Sequence, residues 1–167
     1  NGAGFHQVGV QATNTVHLNL ATGAANISAS AGLGAAITSA NVSGTTEALI
    51  GDYAVLGSAT APIGSLTVEA QRTVTVGPHD SGAPFAIGIS GGLGVGGAAG
   101  VGLIDVGGTV AADVGDGAVI EASLDVLIEA IDTATVNIAL DGVGLGALAV
   151  GAMIATTTME ATVEAAV

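Results

Sequence analysis

The chain has 167 residues, half of them hydrophobic, with 28 glycines, three aromatics, no cysteine and a formal charge of −13. Arg72 is its only strong base, so nothing can neutralise a row of phosphates or an anionic bilayer, and nucleic-acid binding and membrane insertion are not expected. A disulfide scaffold is excluded, and the abundance of Val, Ile, Leu and Ala argues against disorder.

The first predicted element lies in "VGVQATNTV", Val8 to Val16. Sliding the sequence against itself by sixty places sets it on "VEAQRTVTV" (Val68 to Val76) and on "IEAIDTATV" (Ile128 to Val136). Thr13, Thr73 and Thr133 then superpose, as do Thr15, Thr75 and Thr135. Further on, "GLG" at Gly32 to Gly34 falls on Gly92 to Gly94. The triplet returns at Gly144 to Gly146, eight places early, because the loop "GPHDSGAP" has no third copy. "EALIGDYAV" (Glu47 to Val55) matches "AADVGDGAV" (Ala111 to Val119), and "EATVEAAV" begins another copy at the C-terminus. Three units of about sixty residues follow, 1–64, 65–122 and an incomplete 123–167. Such a period signals a repeat architecture.

Strands are the expected element. From Ser123 to Val136 the apolar Leu124, Val126, Ile128 and Ala130 alternate with Asp125 and Glu129, the two-residue period of a half-buried strand. Gly51-Asp52, Gly77-Pro78 and Gly115-Asp116 supply turn chemistry. Propeller blades usually carry recurrent aromatics, which are missing. The expectation is an all-β, repeat-built β-solenoid, resembling a parallel β-helix, with a thin Gly/Ala/Val core.

The segment "AIGISGGLGVGGAAGVGLIDV", Ala86 to Val106, is apolar enough to suggest a membrane helix. Pro84, the glycine density and the absence of flanking Lys or Arg oppose that. Sorted by parity, Ile87 to Leu103 has one aliphatic face and one nearly bare face carrying Gly88, Gly92, Gly94, Gly96, Gly100 and Gly102. Glycine within a strand costs about 0.5–1 kcal/mol relative to alanine, and close approach of another backbone is the gain that offsets it. A smooth face closing on a second sheet, within the molecule or between molecules, is therefore expected, with Gly144 and Gly146 as its counterparts in the third unit.

Few residues suggest chemistry. Glu69 and Glu129 occupy equivalent places and read as solvated strand-face charges, with Arg72 and Asp132 as a candidate pair if the units stack. His6, His17 and His79 match no zinc spacing, and neither a nucleophile elbow nor a phosphate-binding loop with its lysine occurs. Asp113, Asp116 and Asp52, around tight turns, are candidate oxygen ligands for calcium; no other cofactor is expected. The threonines Thr13, Thr15, Thr73, Thr75, Thr133 and Thr135 form outward ranks of the kind an ice-binding surface would use. Asn26 and Asn41 head glycosylation sequons.

The succession "TTEALIGDYAVL", "GSLTVEAQRTVTV", "AIGISGGLGVGGAAGVGLIDV" and "AADVGDGAVIEASLDVLIEA" resembles the repeats of large bacterial filamentous adhesins of the leukotoxin/filamentous-haemagglutinin type. That resemblance implies a secreted, non-enzymatic β-solenoid on the bacterial surface, a segment of a fibre or adhesin stalk. Its partners would be copies of itself or flanking repeats of a longer chain, with a surface receptor or glycan as a further partner. A ligand-binding solenoid for calcium, glycan or ice is the alternative class. The chain, which begins at Asn1, reads as a piece of something longer.

Overall fold

The computed structural model describes residues 6–78 and 85–167, and every regular element among them is a β-strand. The chain makes three passes through the same set of sheets. The first pass comprises β1 (Val8–Leu20), β2 (Thr22–Ser28), β3 (Ala31–Val42), β4 (Thr45–Ile50) and the short β5 (Val55–Leu56). The second comprises β6 (Leu66–Pro78), β7 (Ala86–Gly92), β8 (Val95–Val114) and β9 (Val119–Ile120). The third comprises β10 (Val126–Val136), β11 (Leu140–Leu145) and β12 (Leu148–Ala166). Residues 86–106, apolar enough to suggest a membrane helix, form β7 and most of β8, and among the described residues no helix is long and apolar enough to cross a membrane.

Three of the sheets collect strands from all three passes. In the first sheet β6 lies between β1 and β10; in the second β7 lies between β2 and β11. In the third β8 lies between β12 and β3, with β4 also paired to it, and β5 pairs β9 in a small fourth sheet. All these pairings are parallel. The third sheet folds back over the other two: β3 packs on β2 and β7, and β4 packs on β1 and β6.

The register between β6 and β10 follows the sixty-residue offset, with Thr73 opposite Thr133 and Thr75 opposite Thr135. Between β1 and β6 it differs by two: Thr15, not Thr13, faces Thr73, while Thr13 faces Gln71 and His17 faces Thr75. A shift of two leaves every side chain on its own face, so the buried pattern is indifferent to it. In the second and third sheets the first two passes are offset by 64, which pairs Gly32 with Gly96 and Asn26 with Ser90. The Gly-Asp turns follow the same offset, with Glu47 opposite Ala111 and Val55 opposite Val119.

Where the second and third sheets meet, backbone lies on backbone. A Cβ placed on Gly88 would stand 2.5 Å from the Ala99 carbonyl oxygen, and one on Gly96 would stand 2.6 Å from that of Leu145. Gly34 is closed in the same way by Ile89, and Gly32 by Gly91. At the narrow end Gly92 meets the Val95 carbonyl at 2.8 Å, Gly94 that of Ser30 at 2.9 Å, Gly144 that of Gly96 at 3.0 Å and Gly146 that of Gly92 at 2.8 Å. Real Cβ atoms essentially never come nearer than 3.0 Å, so alanine would not fit most of these sites.

The sheets then diverge, because Gly100 and Gly102 face side chains. Met153 Sδ stands 3.0 Å from the Cβ position of Gly100; Ile138, Leu140 and Phe85 close on that of Gly102. The cross-section is a wedge, thin at residues 91–96 and filled by aliphatic side chains beyond.

The glycine face is the inner one, which turns the aliphatic face of the same strands outward. Ile87, Ile89, Val101 and Leu103 do not fill the core; Leu103 is 41% exposed and Leu93, at the thin edge, 86%. The core lies behind the thin edge in two clusters. One gathers Val74, Val76, Phe85, Ile104 and Val106; the other gathers Leu66, Val68, Ile50, Val110 and Val114.

Substituting Gly88→Ala or Gly34→Ala should lower stability by about 1–3 kcal/mol, the cost of overpacking a closed site. Gly9→Ala, whose Cβ meets nothing within 4 Å, should be neutral or stabilise by about 0.5 kcal/mol. Urea unfolding followed by circular dichroism separates the two groups; equal effects would refute the close approach of the sheets.

Candidate interaction surfaces

The outer face of the first sheet carries the threonines. Thr15, Thr73 and Thr133 form one continuous rank, and Thr75 and Thr135 a second that His17 completes. Thr13 belongs to a mixed rank with Gln71 and Ile131. These side chains point outward because they alternate with buried Val74, Val76 and Arg72. One rank further lie Gln11, Glu69 and Glu129. The Gln11 amide donates to Glu69 Oε2 at 3.0 Å, and Glu129 stands directly opposite Glu69 on the other side.

Arg72 points inward. It occupies the break between the two core clusters and is 2% exposed. Its Nε and Nη2 donate to the two Asp132 carboxylate oxygens at 2.9 and 2.7 Å, and Nη1 donates to the Gly107 carbonyl at 2.7 Å. Asp132 is the register partner of Arg72 on β10, and its side chain is 8% exposed. Asn14 is the partner on β1.

The backbone of β8 takes a left-handed residue next to where the guanidinium reaches it. Gly108 has φ +126°, a conformation side chains rarely adopt, and Gly44 and Arg72 fill the place a Cβ would take. The hydrogen bonds that Arg72 donates to Asp132 raise the Arg72 pKa above its ordinary value against the opposing effect of burial, and the charge of Asp132 adds to the rise. A raised pKa on a base gives stability that is present at every pH below its ordinary value and is lost only above it.

The three candidate calcium ligands do not gather. Asp52 Oδ1 accepts the backbone N–H of Asp116 at 3.0 Å, as part of two stacked Gly-Asp-X-Ala turns. Tyr53 and Gly117, third in each turn, have φ of 57° and 69°, as a type II turn needs at that position. Asp113 lies on β8 opposite Leu49 and Ala166, and its Oδ1 is buried without a hydrogen bond. Among the described residues no group of three or more His, Cys, Asp or Glu is placed to hold a metal ion.

Asn26 and Asn41, the sequon asparagines, are exposed, and the Asn41 amide donates to Asp105 Oδ2 at 3.0 Å. His6 and His17 are exposed; His79 lies outside the described residues.

Two features are illegible in composition or motif. The first is the outward aliphatic surface of the third sheet. There Gly97 and Ala99 on the central strand form the floor of a trough walled by Leu33 and Val150. The second is the pair of bare edges: among the described residues, β1, β2 and β3 at one end and β10, β11 and β12 at the other have a paired strand on one side only. On β12 the inward residues Met153, Met159 and Val163 remain 40%, 56% and 49% exposed.

No family model, curated protein or solved structure matches the chain.

Removing one member of a buried ion pair strands the other, at a cost of about 3–5 kcal/mol. Arg72→Met and Asp132→Leu should each destabilise by an amount in or near that range. The double variant should recover most of the loss, since an apolar pair of similar volume is often neutral. A double-mutant cycle by chemical denaturation measures this coupling, and additive losses would contradict it.

Proposed function

We propose that the chain is a segment of a β-solenoid, of the kind the adhesin-like repeats suggest, and that its task is structural: part of an extracellular bacterial fibre or stalk. One observation carries this reading. Strands of three successive passes stack in parallel, rank upon rank, and the outer edges of the stack pair with no strand among the described residues. Unpaired N–H and C=O groups along a strand are a template for another strand, and a parallel stack extends by repeating the step it already contains.

On this reading each sixty-residue unit is one wide coil, and length comes from coils added along the axis. Backbone hydrogen bonds then run down the fibre and carry tension. The wedge-shaped interior needs few large side chains, which suits a chain with three aromatics. Partners are further copies of the chain or neighbouring coils of a longer one.

A second reading, a flat ligand-binding face of the kind that orders water on ice, draws on the Thr15–Thr73–Thr133 rank. The adjoining ranks break to Gln71, Ile131 and His17, so the regular patch is small, and we favour the scaffold.

Purified chain should form filaments in electron micrographs as its concentration rises, with fibre diffraction giving an axial spacing of about 4.8 Å. Compact monomers at every concentration would overturn the scaffold reading. Ice-growth arrest by such monomers would favour the second.

A further inference from the structure

The two bare edges are chemically unlike, and the difference prescribes how they meet. Residues 1–64 contain two acids, Glu47 and Asp52, whereas residues 123–167 contain six and no Lys or Arg. Two third-pass edges brought together would set acid against acid. A first-pass edge on a third-pass edge avoids this.

The side chains repeat the asymmetry rank by rank. At polar positions the first pass carries amides, namely Gln11, Asn14 and Asn41. Two of them stand beside carboxylates of the second pass, and Gln11 and Asn41 each donate to that neighbour at 3.0 Å. The third pass ends the Gln11 and Asn14 ranks with Glu129 and Asp132 and the Asn41 rank with Thr158, and among the described residues no strand pairs on their outer side.

We propose that copies of the chain join head to tail, the β1–β3 edge of one copy on the β10–β12 edge of the next. The register seats Gln11 on Glu129 and Asn14 on Asp132 of the neighbour. This rests on the end-to-end reading above and adds polarity and register to it.

Three constraints select the arrangement. A slip of one residue would turn Val10 or Ala12 outward and bring polar neighbours in, so only even slips survive. A slip of two sets Ala12 or Val16 against Asp132, an inward carboxylate 8% exposed, and apolar contact there desolvates a charge without supplying a donor. In the unslipped register the Asn14 amide faces that carboxylate. The same register covers the half-exposed Met159 with Val42 and Val163 with Thr46, their rank-mates through Val106 and Val110. One rank opposes the arrangement: Glu47 would face Glu164, as both already flank Ala111. Joining unlike edges of identical copies is a heterologous contact, which generates an open filament unless the rotation closes.

Because the chain has no cysteine, Thr13→Cys and Ile131→Cys can be introduced in separate copies, mixed in equal amounts and oxidised. Those positions share the rank of Gln71, and strands about 4.8 Å apart bring their Cα atoms within disulfide range. The expected product is the mixed 13–131 disulfide. A predominance of 13–13 or 131–131 dimers overturns the polarity, and stronger linkage of Ile131→Cys with Thr15→Cys overturns the register. Light scattering runs alongside. Assembly without the 13–131 bond refutes this proposal alone, whereas no assembly refutes the end-to-end reading with it. Glu164→Gln should lower the concentration needed for assembly about two- to fivefold by removing the like-charge rank; an unchanged threshold would count against the register.

Discussion

The structure depends on how closely two sheets can lie when one inner face has almost no side chains. Sheets normally pack about 10 Å apart because side chains interdigitate between them. Here Gly32, Gly34, Gly88 and Gly96 leave room only for the opposing backbone. Everything at the thin edge follows. Aliphatic side chains on those strands have no inner space and must point outward, and the core moves back to where the sheets part around Phe85, Ile138 and Leu140. The strain-free alternative, alanine on the same face, would widen the wedge throughout. Each glycine forgoes helix- and strand-forming tendency and backbone rigidity in the unfolded chain, a loss offset by dispersion contacts between closely apposed backbones.

A second constraint holds the passes in step. In an apolar interior with two-residue periodicity, slips by two cost little, and the first sheet displays such a slip relative to the sixty-residue offset. The Arg72–Asp132 pair resists one between β6 and β10, because moving either strand by two would set Arg72 against Ala130 or Ala134. The sole strong base of the chain is thus consumed inside, and the outer surface presents acids with no Lys or Arg among them. Such a surface discourages lateral association through charge, even though the outward aliphatic residues favour it. For the proposed fibre, growth would run through the ends, whose outer edges pair with no strand among the described residues.

Much of this was legible in the residues. Alternation predicted strands, the all-β class follows from it, and the parity of Ile87 to Leu103 separated a bare face from an aliphatic one. Parity does not say which face is inner, however. Burial of aliphatic surface would place the aliphatic face inside, yet the approach of the sheets puts the glycines there. The offset of sixty paired Thr73 with Thr133 correctly but missed Thr15 with Thr73, because repeated Val and Thr make neighbouring even registers look alike. The positive φ of Gly108 has no local signature; its neighbour Gly107 accepts a hydrogen bond from Arg72, thirty-five residues earlier. The turn at Tyr53 was marked by Gly51-Asp52, but not its left-handed conformation, since glycine holds that place only in the second copy, at Gly117.

The most direct test is an inter-sheet nuclear Overhauser measurement on isotope-labelled protein. Close apposition of the sheets predicts cross-peaks between the Hα atoms of Gly88 and the backbone of Ala99, and between those of Gly34 and the backbone of Ile89. Sheets held at the ordinary spacing of about 10 Å would give none, and their absence in an otherwise assigned spectrum would contradict the account.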